Sequence, residues 1–403
     1  MLTKEENDFL TRVGPGTPAG ELFRRYWLPV GYACELTDES PTRFVRVLGE
    51  DLVLFKDKSG NVGLIADHCM HRSASLLYGR VEERGIACAY HGWLYDTKGN
   101  CLETPAEPSD SKFYLTVRIK AYPVQKFIGM YWAYLGPDPA PVIPRYDVWV
   151  RQDGRRHLYL QPQLDANWLQ PMENSMDPAH LQVLHQTAAF RGRTPPNTTR
   201  GFTDDVAGFE FYEVPYGIIK KRSYTNGHTD EHPVLFPNIL RQGDATQIRV
   251  PIDDEHTKIF FVRFEPTPDG SIVEDESDPQ VTFIEPYKTP GLHPVGVFDI
   301  SHEVQAQDHM AWETQGPITN RSVERLATSD RGIVMYRNML KREIERVQMG
   351  LDPKSVVRDP DHAMIDTKLS ESLAERSQPR ARGEAVAAFA GADPGDPGAA
   401  TRG

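Results

Sequence analysis

Two short pairs of cysteine and histidine constrain this chain of 403 residues more than any other feature. Cys69 and His71 form the first pair, sixteen residues follow, and Cys88 and His91 form the second pair. Both pairs stand in turn-like sequence directly after short apolar runs that predict β-strands. We therefore expect two neighbouring loops of a β-sheet to hold a metal centre with two thiolate and two imidazole ligands.

The order of these ligands along the chain distinguishes two kinds of centre. A structural zinc site uses the same residue types but generally groups cysteine with cysteine and histidine with histidine. Here each loop supplies one thiolate and one imidazole, as a Rieske [2Fe-2S] cluster requires when one iron binds two thiolates and the other binds two imidazoles. Neutral imidazoles make the cluster less negative, so it accepts electrons more readily. We predict that Cys69, His71, Cys88 and His91 bind a Rieske cluster.

The aromatic residues around the second pair have two interpretations. Tyr90, Trp93 and Tyr95 either wall the cluster and hydrogen-bond its sulfur atoms, or they belong to the ordinary core of a β-domain. The remaining cysteines, Cys34 and Cys101, have no partner at ligand spacing. We interpret both as structural.

The rhythm of strand and turn signals divides the chain into four parts. Short β-branched and aromatic runs alternate with turn residues over residues 43–137, which predicts a small all-β domain. A proline-rich stretch at 136–144 marks a boundary, and the mixture of strands and helix-like stretches beyond it predicts an α+β domain. The predicted limits are a lead-in segment at 1–35, a cluster domain at 36–145, a catalytic domain at 146–370 and a disordered tail at 371–403.

A second candidate metal site lies in the α+β part. Asp177, His180 and His185 are close in sequence, and two histidines with one carboxylate on one face of iron(II) leave three positions for water, dioxygen and substrate. On a helix, Asp177 can orient the imidazole three residues later without binding the metal. The two histidines are five residues apart, so joint ligation requires a bend or a π-type turn, which Pro178 can provide. The alternative is a surface helix with Asp177 as its N-cap and two unrelated histidines.

The third iron ligand must be a carboxylate from later in the chain. Residues 303–316 offer three acidic side chains. We predict that Asp308 is the ligand, with Glu313 as the alternative and Glu303 as the least favoured choice. The spacing alone does not decide between them.

Composition excludes several classes of function. The net charge is −12 at pH 7 and no long block of Lys or Arg occurs, so we expect neither nucleic acid nor an anionic membrane as a partner. The N-terminus has no secretory signal, and no apolar run approaches the length of a membrane span. Four cysteines in such a chain favour metal binding over disulfides. The expected location is the cytoplasm.

Together these motifs resemble the alpha subunits of the Rieske non-haem iron aromatic ring-hydroxylating oxygenases, in the branch of phthalate dioxygenase and the aromatic O-demethylases. The resemblance covers roughly residues 1–350. One departure is Ser73, where many relatives carry glycine after the His-Arg pair; it touches a loop turn and no ligand. Beyond the metal motifs, the resemblance rests on residues 14–18, 48–51, 90–93, 307–316 and 328–332.

This resemblance implies an all-β Rieske domain followed by an α+β helix-grip (START-like) catalytic domain with a mononuclear Fe(II). It implies a homotrimer, or a dimer of trimers, in which the cluster of one subunit faces the iron of the next, with Asp177 linking His180 to His91 of the partner subunit. The implied reaction is dihydroxylation, hydroxylation or O-demethylation of an aromatic substrate by O2. Because the sequence has no nucleotide-binding signature, electrons from NAD(P)H must arrive through a separate flavin and iron–sulfur reductase, with or without a ferredoxin.

The sequence does not identify the substrate. We expect pocket walls around Trp168, Met172 and Asn174, in the loop after His185, and on the strands near 235–265. A carboxylated aromatic substrate requires a cationic anchor, although any single arginine is more often a surface charge. The candidate anchors are Arg191, Arg193, Arg200, Arg222, Arg241 and Arg249.

Two other classes of function compete with an oxygenase. A Rieske-type electron-transfer protein without oxygenase activity needs no second metal motif, and it predicts that function survives removal of His180 and His185. A structural zinc protein predicts a colourless preparation without a redox signal. An oxygenase predicts a red-brown protein, reducible by a reductase, whose product formation requires His180.

Overall fold

The computed structural model describes residues 1–185, 206–274, 277–289, 297–298 and 304–367. The predicted tail at 371–403 lies outside the described residues. No helix within the described ranges is long and apolar enough to span a membrane.

The first part of the chain consists of two short helices and a set of small antiparallel sheets. Strands β2, β3, β4 and β9 form one sheet in that order, β5 to β8 form a second, and β1, β11 and β10 form a third. The elements are α1 (Lys4–Thr11), α2 (Pro18–Phe23), β1 (Trp27–Tyr32), β2 (Thr42–Val47), β3 (Glu50–Lys56), β4 (Val62–Ala66), β5 (Arg80–Glu82), β6 (Gly85–Ala87), β7 (Leu94–Tyr95), β8 (Cys101–Glu103), β9 (Ala121–Tyr122), β10 (Val124–Phe127) and β11 (Met130–Tyr134).

Helix α1 begins with the local chemistry that favours a helix start. Thr3 accepts a hydrogen bond from the backbone N–H of Glu6, whose side chain accepts one from the backbone of Thr3. Strand β1 follows within the predicted lead-in segment, and it pairs with β11 rather than standing apart. We propose that the boundary of the cluster domain lies before Trp27 instead of at residue 36.

The second part of the chain is built on one eight-stranded sheet with the order β14-β15-β16-β17-β18-β19-β13-β20. Its neighbouring strands are antiparallel except for β13 and β20. The elements are β12 (Arg145–Tyr146), α3 (Asp147–Val150), β13 (Gly154–Leu160), α4 (Leu169–Ser175), α5 (His180–Val183), β14 (Val206–Val214), β15 (Gly217–Tyr224), β16 (Thr229–Leu235), β17 (Ile239–Gln242), β18 (Ala245–Pro251), β19 (Thr257–Pro266), β20 (Gln280–Phe283), β21 (Lys288–Thr289), β22 (Val297–Phe298), α6 (Val304–Glu313), α7 (Arg331–Gln348) and β23 (Met364–Ile365).

Helices α4 and α7 pack on this sheet, in the arrangement expected for a helix-grip domain. Gly332 of α7 lies against the ring of Phe211, where a larger side chain would clash. The hydroxyl of Tyr336 donates to the carbonyl oxygen of Pro237, which follows β16. Side chains alternate between the two faces of β15. Lys220 and Arg222 share one face, and both are buried there despite their charge.

A buried ion network holds α4 in place. Both Arg321 and Arg337 donate to the carboxylate of Glu173, at distances from 2.6 to 3.1 Å. Arg321 also donates to the side chain of Asn7 in α1, at 3.0 Å. Burial opposes ionisation of Glu173, but the two guanidinium groups outweigh it and lower the pKa of this carboxyl. The network ties the helix that precedes the candidate iron site to both ends of the described chain.

Candidate functional site

The two cysteine–histidine pairs lie in loops of the same shape. In each loop, the cysteine N–H donates to the carbonyl oxygen five residues later, at 2.9 Å for both Cys69 and Cys88. The carbonyl oxygen of each cysteine accepts from the N–H four residues later, at 2.8 Å and 2.9 Å. That fourth residue has a left-handed backbone in both loops, with φ 55° at Ser73 and 74° at Gly92. Ser73 thus occupies a turn position that glycine adopts without strain.

The sulfur atoms lie inside these loops and the imidazoles lie toward solvent. Cys69 and Cys88 are 3% and 4% exposed. His71 is exposed and His91 is half-buried, and their ring centroids are 4.5 Å apart. Across the described residues, no three of these four ligand atoms lie within 4.8 Å of one another. They therefore do not converge on one ion as zinc ligands do, and the division into a sulfur side and an imidazole side fits a cluster of two irons.

Aromatic side chains contact both sides of this cage. The hydroxyl of Tyr95 lies 3.3 Å from Cys69 Sγ. Trp93 stacks on His71 with a centroid distance of 4.6 Å and an interplanar angle of 10°, which holds the imidazole in one orientation. Tyr90 is exposed. The geometry thus favours a role beside the cluster for Tyr95 and Trp93 over the ordinary core interpretation.

The predicted iron ligands come together in the second part of the chain. His180 Nε2 lies 3.8 Å from Asp308 Oδ1, and His185 Nε2 lies 3.4 Å from the same oxygen. One ligand atom from each residue lies within 4.8 Å of the other two. His185 is 1% exposed. Two imidazole nitrogens and one carboxylate oxygen in a buried group form the donor set that non-haem iron(II) requires.

The chain brings the two histidines together by interrupting a helix. The helix-like stretch predicted for 167–186 is two helices, because α4 ends at Ser175 and α5 begins only at His180. Asp177 and Pro178 lie in the break. Helix α5 ends at Val183, so His185 leaves the regular helical spiral and its ring centroid comes within 5.3 Å of the ring of His180. The structure therefore contains the irregularity that the five-residue spacing requires.

Asp177 has one of the two roles considered from sequence. It is not the N-cap of α5, which is Ala179. Its Oδ1 accepts a hydrogen bond from the backbone N–H of Ala179 at 2.8 Å and closes a turn before the helix. Its Oδ2 lies 3.5 Å from His180 Nδ1, on the opposite side of the ring from Asp308. Burial opposes ionisation of Asp177, but His180 outweighs it and lowers the pKa of this carboxyl. The carboxylate can therefore orient the imidazole of His180.

The neighbours of His185 indicate that a cation belongs in this group. Its Nδ1 contacts Oε1 of Gln307 at 2.7 Å. An amide oxygen only accepts, so Nδ1 carries a hydrogen and Nε2 of the neutral ring presents a lone pair to Asp308. Asp308 Oδ1 is buried and accepts no hydrogen bond among the described residues. Two acceptors that face each other at 3.4 Å require a positive charge between them, so the residues fit a metal ion.

The ionisation of the same groups agrees with this requirement. Burial alone disfavours a charged imidazole, yet Asp308 raises the pKa of His185. Burial likewise disfavours the carboxylate, yet His185 lowers the pKa of Asp308. Without a metal, Asp308 thus favours a proton on His185, and a bound metal ion would take the place of that proton.

Glu313, the alternative third ligand that the structure describes, does not join this group. Glu313 lies at the end of α6, and its Oε1 accepts a hydrogen bond from the backbone N–H of Asp165 at 3.1 Å. Glu303 lies outside the described residues. Of the two cysteines interpreted as structural, Cys101 is buried and Cys34 is exposed. Asp308 is thus the one candidate that the described residues bring to both histidines.

The candidate substrate anchors differ in whether a carboxylate already pairs with them. Arg222 forms a two-point ion pair with Asp230, at 2.7 and 2.6 Å, and Arg241 pairs with Asp147 at 2.6 Å. Arg249 is 1% exposed and has no carboxylate within 4.0 Å among the described residues. The remaining candidates, Arg191, Arg193 and Arg200, and the loop after His185 lie outside the described residues.

Arg249 lines the same cavity as the iron ligands, together with Asn174, Ser175, Gln247 and Gln305. Its guanidinium donates to the hydroxyl of Ser175 and to Oε1 of Gln247, while Nε has no hydrogen-bond partner among the described residues. Of the predicted walls, Asn174 lines the cavity, and Met172 contacts Arg249 through its sulfur. Trp168 is fully buried and packs on Phe23 instead.

Comparison with known proteins identifies the family of the chain. A model of the Rieske [2Fe-2S] domain matches residues 26–123. The oxygenase subunit of 5,5'-dehydrodivanillate O-demethylase from Sphingobium sp. (strain NBRC 103272 / SYK-6) is 41% identical over 377 residues, which cover 89% of this chain and 84% of that protein. The chain belongs to the Rieske non-haem iron oxygenases. The alpha subunit of phenoxybenzoate dioxygenase from Ectopseudomonas oleovorans is 35% identical, over 88% of this chain and 89% of that protein.

Membership of this family confirms the prediction of a Rieske oxygenase alpha subunit in the branch of phthalate dioxygenase and the O-demethylases. The solved structure of NdmA from Pseudomonas putida CBB5 matches with a TM-score of 0.57 at 21% identity, over 84% of this chain and 98% of that one. This likeness confirms the fold class, an all-β Rieske domain followed by an α+β catalytic domain. The chain is the oxygenase component of a multicomponent enzyme with a Rieske cluster and a mononuclear iron, and not a Rieske carrier alone.

Two residues of the site were absent from the sequence-based prediction. Gln307 was part of a recognised segment without a role, although it directly precedes the predicted ligand Asp308. Lys220 lines the cavity and is 3% exposed. A signal for Lys220 existed in the alternation along residues 217–224, which form β15, because Lys220 and Ile218 share one face of this strand.

Proposed function

We propose that this oxygenase hydroxylates or O-demethylates an aromatic substrate that carries a carboxylate. Support for the reaction class comes from the family, and support for the acid comes from Arg249, a buried cation beside the iron ligands that lacks a carboxylate partner. In this proposal, the cluster is held by Cys69, His71, Cys88 and His91, and the iron by His180, His185 and Asp308.

Three residues of the chain fix the geometry in which the bound iron can activate O2 and transfer oxygen to the substrate. Asp308 supplies the single negative charge of the ligand set, which leaves the occupied site with a net positive charge. Gln307 accepts the hydrogen of His185 Nδ1 and so keeps the lone pair of Nε2 directed at the metal. Asp177 does the same for His180 from the opposite side of the ring.

Arg249 provides the argument for a carboxylated substrate. An unpaired charge inside a protein is costly, and an arriving carboxylate compensates it with charge-assisted hydrogen bonds. The polar partners of the guanidinium are neutral, namely Ser175 and Gln247. Burial lowers the pKa of Arg249 to about 10, so the guanidinium stays charged at neutral pH. A neutral substrate of the same shape leaves that charge uncompensated.

The proposed assembly follows from the separation of the two sites. In a head-to-tail homotrimer, or a dimer of trimers, the outward-facing His91 of one subunit approaches Asp177 of the next, and Asp177 links the two metal centres. A separate flavin and iron–sulfur reductase, with or without a ferredoxin, supplies electrons from NAD(P)H. We place the enzyme in the cytoplasm, and the domain limits remain those predicted from sequence, apart from the boundary before Trp27.

The test is a panel of aromatic acids, their methyl ethers and the matching amides, incubated with reduced enzyme and O2. We expect O2-dependent product from acids and little from amides, and formaldehyde where a methoxy group is lost. Arg249→Met should raise KM for the acid about 100-fold, because a buried charge-assisted contact contributes roughly 2–3 kcal/mol. Arg342→Met, on the exposed face of α7, is the matched control. Equal turnover of acids and amides by the unmodified enzyme would refute the proposal that the substrate carries a carboxylate.

A further inference from the structure

The cavity beside the iron ligands contains a second buried cation, Lys220, whose role the proposed function leaves open. This inference rests on that function, because it assumes a carboxylated substrate. We propose that Lys220 is a second recognition group for the acid, and that it takes up a proton from solvent as the anion binds.

The position of Lys220 supports direct recognition. It lies on β15, directly across from His232 on β16, and its side chain lines the cavity shared with Arg249 and the iron ligands. Its Nζ donates to the carbonyl oxygen of Ser175 at 2.9 Å. Arg249 donates to the hydroxyl of the same serine. The two cations therefore flank one residue, and an anion at this point can contact both.

The described part of the chain offers Lys220 no carboxylate within 4.0 Å. Two carboxylates act on Lys220 from farther away: Asp177 faces His180, and Asp230 is paired with Arg222 and also accepts a hydrogen bond from the hydroxyl of Tyr224 at 2.7 Å. Phe211, the partner of Lys220 on β14, is uncharged. The charged and titratable groups that face Lys220 or share its cavity are Arg222 on its own strand, Asp230 and His232 on β16, Arg249 on β18, Asp177 in the break between α4 and α5, and the candidate iron ligands His180, His185 and Asp308.

This environment makes the charge of Lys220 conditional. Burial, followed by the repulsion from Arg222, lowers the pKa of Lys220 to about 7, so near and above neutral pH a large part of the amine is uncharged. A carboxylate in contact with Nζ favours the ammonium form and raises the pKa again. The anion therefore binds together with one proton, which forms the N–H⁺ of the ion pair and comes from water or buffer.

The consequence is selectivity that a permanent cation cannot provide. Arg249 is charged whether or not substrate is present, whereas Lys220 acquires its charge in response to an anion. A neutral aromatic compound does not stabilise the ammonium form of Lys220. The cavity therefore gains no additional buried charge when such a compound binds. Arg249 thus attracts the acid group, and Lys220 becomes protonated when that group binds.

The experiment is calorimetric titration of the iron-replete enzyme with benzoate, in buffers of different ionisation enthalpy. At pH 8 we expect net proton uptake on benzoate binding, and at pH 6 much less, because a group with a pKa of about 7 is already mostly protonated at pH 6. The Kd for benzoate should rise with pH and be up to about tenfold higher at pH 9 than at pH 6. Benzamide, the neutral control, should show neither effect.

Two variants assign the proton to Lys220. Lys220→Arg keeps a cation that does not lose its proton, so benzoate should bind without proton uptake and with a Kd that is flat from pH 6 to pH 8. Lys220→Met should bind benzoate about tenfold more weakly than the unmodified enzyme at pH 6, a difference that shrinks at pH 9. The visible spectrum of the cluster reports whether each variant is folded.

The possible failures are distinguishable. Benzoate binding at pH 8 without proton uptake by the unmodified enzyme, or uptake that persists in Lys220→Arg, overturns this inference and leaves the carboxylate proposal intact. Benzoate affinity unaffected by Arg249→Met overturns the role of Arg249 alone. No benzoate binding at any pH overturns both, because the two cations then recognise no acid.

Discussion

The two metal sites of this oxygenase are built in opposite ways. The proposed cluster site takes all four candidate ligands from two short loops within residues 69–91, and backbone hydrogen bonds close each loop around its own cysteine. The proposed iron site combines His180 and His185 with Asp308, which is more than a hundred residues away in sequence. Of these three, His185 is buried and the other two are half-buried, whereas His71 of the cluster site is exposed.

This difference corresponds to what each site must exchange with its surroundings. A cluster that passes electrons benefits from imidazoles at the surface, because a redox partner must come close to them. A site that reacts with O2 benefits from the exclusion of water, since the electrostatic interactions between its charged groups and the substrate are then stronger. The buried cations Arg249 and Lys220 belong to the second type of site, and the described residues of the cluster loops offer no counterpart at comparable burial.

The largest expected effect is a loss of product formation at the iron site that leaves the cluster intact. His180→Ala removes an iron ligand, so product formation should fall about 1,000-fold or more, while the absorption and EPR signals of the cluster remain. Metal analysis should show loss of one iron per chain with two irons and two sulfides retained. His362→Ala, at an exposed histidine paired with Asp359, is the control.

Loss of the cluster signal in His180→Ala would contradict the independence of the sites. Turnover that survives this change would contradict the assignment of His180 as an iron ligand.

The same contrast explains what could be predicted from sequence. The cluster ligands are recognisable because spacing within a loop is local chemistry, visible in residues 69–91 alone. The order of strands in the eight-stranded sheet and the choice of Asp308 over Glu313 depend on packing between distant segments, which spacing does not encode. The sequence did predict an irregular helix at His180 and His185, because their five-residue spacing does not fit a regular one. Pro178 lies in the break between α4 and α5.

The buried cations show a second reason why the sequence could not predict the whole site. Six arginines were equivalent candidates in the sequence, and the three that the structure describes differ by whether a carboxylate lies nearby. Arg222 has Asp230 across the strand pair and Arg241 has Asp147, while Arg249 has neutral partners. Partners of this kind lie as far as 94 residues apart, as for Arg241, so the sequence gives no sign of them.

The next effect tests the connection between the sites instead of either site alone. Asp177→Asn keeps an oxygen that can accept from the N–H of Ala179, so the turn and both metals should be retained. Electron transfer from the reduced cluster to the iron should fall about 100-fold, because a neutral amide supports the imidazoles far less than a carboxylate does. Rapid-mixing kinetics of cluster reoxidation with substrate and O2 measure this rate.

Asp359→Asn, a surface change beside His362, is the control for Asp177→Asn. Reoxidation at the original rate in Asp177→Asn would remove Asp177 from the path between the metals and leave it with only the turn that it forms with Ala179.

The smallest expected effect concerns the cluster alone. Tyr95→Phe removes the hydroxyl that lies 3.3 Å from Cys69 Sγ. A hydrogen bond to sulfur stabilises the more negative, reduced cluster, so its loss should lower the midpoint potential by about 40–60 mV, the equivalent of about 1–1.4 kcal/mol for one electron. Redox titration followed by EPR measures the shift. Tyr78→Phe changes a tyrosine that is 77% exposed and should leave the potential unchanged. Because the iron site lies in the other domain, benzoate affinity should be the same in both variants, and an altered affinity would show that the two sites are coupled within one chain.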